Sequence, residues 1–61
     1  MKESLTKAIH GLGFARDDLK EALKEANAVQ KIVLLDIIWR TIAQLQQTKA
    51  LLKALNADAE G

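Results

Sequence analysis

Sixty-one residues make one domain at most, and a monomer of that size buries only about 60% of the surface its unfolded chain exposes. The chain has no cysteine and one histidine, which excludes disulfides, thiolate zinc sites and a His-rich metal site, so association with another chain is the staple left for a small core. Nine Lys and Arg against eight Asp and Glu give a net charge of +1, too little for a global field toward nucleic acid or anionic lipid, and 49% apolar residues are too many for disorder.

The absence of proline and the scarcity of aromatics (Phe14, Trp39) favour helix over strand, as does the abundance of Ala, Leu, Lys and Glu. An all-α chain is expected. Its longest apolar run, Ile32 to Trp39, is eight residues long and contains Asp36, whereas a bilayer span needs about 20. Met1 to Ser4 is charged and leads into an amphipathic segment instead of an apolar signal core, so a cytoplasmic location is the default expectation.

In chain order, Leu5, Ala8, Ile9 and Leu12 recur at helical spacing, with Ser4 placed to cap. Gly11 and Gly13 follow within three residues. They predict a short first helix over about 4–10, with Gly11 as its terminator and His10 at its C-terminal end. A Gly-rich turn follows. The second, amphipathic helix opens after Gly13 with Asp17 and Asp18 in its first turn, and its inner face is Ala15, Leu19, Ala22, Leu23 and Ala26. Asp17–Lys20 and Glu21–Lys24 are i,i+3 pairs on the solvated side, worth about 0.2–0.5 kcal/mol each. Asn27 is the one breaker between Ala15 and Leu55, and the expectation is a break there with Asn27 capping a third helix over about 28–55. Residues 1–56 then form the single helical domain, and 57–61, lacking apolar periodicity, form a frayed tail.

The third helix carries two apolar stripes. Leu34, Ile38, Ile42, Leu45, Leu52 and Leu55 form the first, and Ile32, Trp39, Ala43, Ala50 and Ala54 the second, with Asp36, Arg40, Gln44 and Gln47 between them. Two stripes imply two neighbours. The two preceding helices are too short to cover both along about 42 Å, so the remainder, especially Ile42 to Leu55, is expected to meet another chain. The expected interface is Leu34, Ile38, Trp39, Ile42, Leu45, Leu52 and Leu55, in a homo-oligomeric helical bundle or coiled coil, most simply a dimer; a different helical protein is the other partner of this kind.

No residues assemble a nucleophile, a base and an oxyanion donor, so no catalytic, cofactor-binding or metal site is expected. Gly11-Leu12-Gly13 lacks the third glycine and preceding strand of a phosphate loop. Arg16, Lys20, Lys24 and Lys31 are interleaved with Asp17, Glu21 and Glu25 and read as a solvated face; a small helical DNA-binding regulator is the weaker alternative.

The stretch from Leu12-Gly13-Phe14 through Ala22-Leu23, then Asn27 and Ile32-Val33-Leu34-Leu35, resembles ubiquitin-associated (UBA) domains over about residues 5–38. Leu12 stands where that family has Met, and Ala15 where a capping Ser or Asp is usual. The resemblance implies a three-helix module that binds ubiquitin or a peptide through the glycine loop and the end of the third helix. Leu12, Gly13, Phe14, Leu34 and Leu35 would be its contact residues.

Overall fold

The computed structural model describes residues 1–60. It has two α-helices, α1 (Lys2–Leu23) and α2 (Ala28–Glu60), and no strand among the described residues. They lie side by side as an antiparallel hairpin of 50 × 15 × 12 Å, the long dimension being that of α2 itself at 1.5 Å per residue. The expected frayed tail falls in part on Gly61, outside the described residues; α2 is helical to Glu60.

The hairpin is built on one seam with a 4-3 repeat. On α1, Leu5, Ile9, Leu12, Arg16, Leu19 and Leu23 are all half-buried. On α2, the seam runs Leu34, Ile38, Thr41, Leu45, Thr48, Leu52 and Leu55, with Ile38 (5% exposed) and Leu45 (4%) its best-covered apolar members. Spacing of four and three residues averages 3.5, the period at which one face of a helix stays turned to a single neighbour.

Several expectations are corrected here. The short helix, Gly-rich turn and second helix are one continuous helix, α1, and no glycine among the described residues has a positive φ. Two helix-interior glycines cost about 2 kcal/mol together relative to alanine. A break at Gly11 would withdraw Leu5 and Ile9 from the seam, and each such side chain is worth about 1.5–3 kcal/mol when fully buried. The 4-3 count runs unbroken through the glycines, so continuing the helix keeps both contacts. His10 and the Asp17–Asp18 pair are therefore mid-helix, and neither sits at a terminus. Ser4 is inside α1 as well. The helix starts from Met1, whose carbonyl accepts from the Leu5 amide at 3.0 Å, and Glu3 supplies the first-turn carboxylate.

The break at Asn27 is present, and its cause is visible. The Gln30 amide donates to Asn27 Oδ1 at 2.9 Å, and the Asn27 amide donates to Gln30 Oε1 at 3.0 Å. This reciprocal capping box satisfies two donors that a helix start otherwise leaves without partners. Before it, α1 ends by tightening: the amides of Lys24, Glu25 and Ala26 donate to carbonyls three residues back.

The ion pairs are local. Lys24 meets Glu21 at 3.1 Å and Arg40 meets Asp36 at 3.1 Å, as the spacing predicts. Asp17 accepts from its neighbour Arg16 at 3.1 Å in place of Lys20, because Arg16 sits in the seam and its guanidinium reaches back to the nearest carboxylate.

Candidate functional site

The seam accounts for most of the interface expected from the sequence. Leu34, Ile38, Ile42, Leu45, Leu52 and Leu55 are half-buried or buried in the hairpin, and only Trp39 of that set is exposed. Within Ile42 to Leu55, the stretch expected to meet another chain, Ile42, Leu45, Leu52 and Leu55 are half-buried or buried in the hairpin, while Leu51 stays 48% exposed. The reason is the same continuity: an uninterrupted 22-residue α1 covers far more of α2 than a short helix and a loop could.

Three seam members escaped the sequence reading: Arg16, read as part of a solvated face, is half-buried, and the other two are threonines. Thr41 is 9% exposed and Thr48 half-buried. Their hydroxyls donate to the carbonyls of Ile37 (2.9 Å) and Gln44 (2.7 Å) in the preceding turn, so each side chain presents its methyl to the seam with no polar atom left unpaired. The 4-3 count from Leu34 to Leu55 is the signal that finds them.

Apart from Met1, Phe14 and Leu51, the large apolar side chains left uncovered cluster at the start of α2. Val29, Ile32, Val33, Leu35, Ile37 and Trp39 are all substantially exposed. They divide into two flanks of the seam. On one, Ile32, Leu35, Trp39 and half-buried Ile42 follow a 3-4-3 spacing with no charge inside the strip. On the other, Val33 and Ile37 are followed by Arg40, Gln44 and Gln47 before Leu51 restores an apolar side chain.

The total surface carries the same message. The chain exposes 4738 Å², against roughly 3,900 Å² for a compact monomer of its mass. Burying roughly 800 Å² per partner is what a specific protein–protein interface does.

Two open grooves accompany the strips. One, of about 550 Å³ at the turn end, is walled by Ala22, Ala26, Val29, Val33 and Leu34 and rimmed by Glu25 and Gln30. The other, of about 230 Å³, forms where Gly13 has no side chain to fill the space near Leu45, between His10, Asp17 and Lys49.

Of the residues assigned by the UBA resemblance, Leu12 and Leu34 lie in the seam and Gly13 beside it. Phe14 and Leu35 are exposed on different helices. Among the described residues no group of three or more His, Asp or Glu side chains is placed to hold a metal, and no helix is long and apolar enough to cross a membrane. Compared with protein families, curated proteins and solved structures, the chain matches none.

Proposed function

We propose that this chain is a non-enzymatic self-association module whose hairpins pair into a helical bundle, most simply a two-fold dimer of four helices. One observation carries the reading: α2 has apolar side chains on more sides than α1 covers, with Ile32 (72% exposed) and Trp39 (67%) standing in solvent on a chain too small to waste burial. A lone two-helix hairpin offers one seam and little else to offset its conformational entropy; doubling it adds a second seam. A bundle contact of this kind works by shape and burial and requires no reactive group.

Molar mass and helix content, measured together by sedimentation and circular dichroism across a dilution series, test the proposal. A mass of twice 6.7 kDa that falls on dilution is expected. A monomer that remains fully helical at micromolar concentration overturns it.

A further inference from the structure

We infer that the cavity between α1 and α2 at Gly13 binds a small aromatic monoanion, a single ring carrying one carboxylate. The site is separate from the bare flanks of α2, and it does not depend on how copies of the chain associate.

Three residues of α1 depart from what the hairpin itself requires, and all three line this cavity. Gly13 is the first. A glycine inside a helix weakens it relative to alanine, and a close approach by a neighbouring element would be the return. None occurs: a methyl added at Gly13 meets nothing within 4 Å. What the missing side chain leaves is open space of about 230 Å³. Phe14 is the second. It is the one large apolar side chain of α1 that stands in solvent, 71% exposed. Arg16 is the third. The 4-3 seam asks for an aliphatic side chain there, as at Leu12 and Leu19, and a guanidinium stands in its place. Local choices in a sequence agree with the fold except where a site demands otherwise. Three departures around one cavity mark such a site.

The lining specifies the ligand. Ile9 and Leu45 supply apolar walls, and Phe14 offers the face of its ring for stacking. His10, Arg16 and Lys49 place hydrogen-bond donors around them. Asp17 is the single carboxylate of the lining, and it is held by Arg16 at 3.1 Å. Lys49 forms no ion pair among the described residues. Two fixed cations against one carboxylate leave a single positive charge, which a monoanion balances. Volume sets the size. At about 230 Å³ the cavity is smaller than the roughly 300–1,000 Å³ that takes drug-sized ligands, so it suits one ring better than a fused system.

Benzoate is the probe. The isotope-labelled chain is titrated with benzoate, benzamide and inorganic phosphate, and its amide chemical shifts are followed. For benzoate, saturable shifts centred on Gly13 to Asp17 and Leu45 to Lys49 are expected, with a dissociation constant of about 1 mM or tighter. Benzamide keeps the ring without the charge and phosphate keeps charge without the ring, so each should bind about tenfold more weakly or worse. Lys49→Gln should weaken benzoate about tenfold, and Phe14→Ala about three- to tenfold. Both side chains are on the surface, so helix content should hold. Gly13→Leu fills the cavity floor with a good helix former and should abolish binding while helix content stays or rises. Should that variant lose helix content, Lys49→Gln and Phe14→Ala carry the test. Gly11→Ala, outside the cavity, should bind as the wild type does.

Absence of saturation at about 10 mM benzoate overturns the proposal, as do shifts centred on the bare flanks of α2 in place of the cavity. Benzamide as tight as benzoate shows a site for rings alone, and phosphate as tight shows a site for anions alone; either result overturns the ligand assigned. Binding left unchanged by both Lys49→Gln and Phe14→Ala equally overturns it.

Discussion

The two halves of α2 differ in how they treat water. From Ala28 to Ile42 the helix is apolar on the seam and on both flanks, whereas beyond Ile42 the flanks turn to Gln44, Gln46, Gln47, Lys49 and Lys53 and the apolar side chains retreat into the seam, Leu51 excepted. The far half resembles a helix with one neighbour. The turn-proximal half resembles one with two. The seam thus runs through both halves, while the bare apolar flanks are concentrated near the turn.

The sharpest way to break this comparison is a charge in the far-half seam. Leu45→Asp puts a carboxylate at a 4% exposed site with no partner, a loss of about 3 kcal/mol or more in a chain whose whole stability is of the order of 3–9 kcal/mol. Loss of the helical signal in circular dichroism is expected, while Val33→Asp, on an exposed site of the other half, should stay within about 0.5 kcal/mol and keep the helix. Retained helicity in Leu45→Asp would mean that the seam does not hold the hairpin.

A smaller effect is expected at the turn. Asn27→Ala removes the acceptor for the Gln30 amide and should cost about 1 kcal/mol, read as a drop in urea midpoint at unchanged slope. Gly11→Ala should raise stability by up to about 1 kcal/mol. Nothing lies within 4 Å of the added methyl, so only the helix preference changes, and thermal melting should show a rise of about 4–8 °C. A fall there would mean that α1 does not run straight through the glycine. The smallest change is expected for Asp36→Asn. It breaks the 3.1 Å pair with Arg40, but both groups are mostly in water, so the loss should be below about 0.5 kcal/mol and vanish at high salt.

Helical class, the break at Asn27 and the seam stripe of α2 were legible in the sequence because each rests on local chemistry: composition, a capping residue and a period. The glycines misled for an instructive reason. Local preference at Gly11 and Gly13 argues for a turn, but the deciding term is the burial of Leu5 and Ile9 against residues some 40 positions away, which no local window contains. That one misplacement propagated to the site. A short first helix left Ile42 to Leu55 without a cover, and a long one supplies it, moving the bare surface toward the turn. Thr41 and Thr48 were overlooked because a hydroxyl counts as polar in a hydropathy pattern, although bonding to its own backbone makes the outer side of the residue apolar.

The four residues between the helices also set how quickly the fold is reached. All pairing between α1 and α2 nests around that one bend, so once the connection closes each further turn of helix adds its neighbour at little extra entropic cost. Chains with so local a wiring assemble in microseconds to milliseconds.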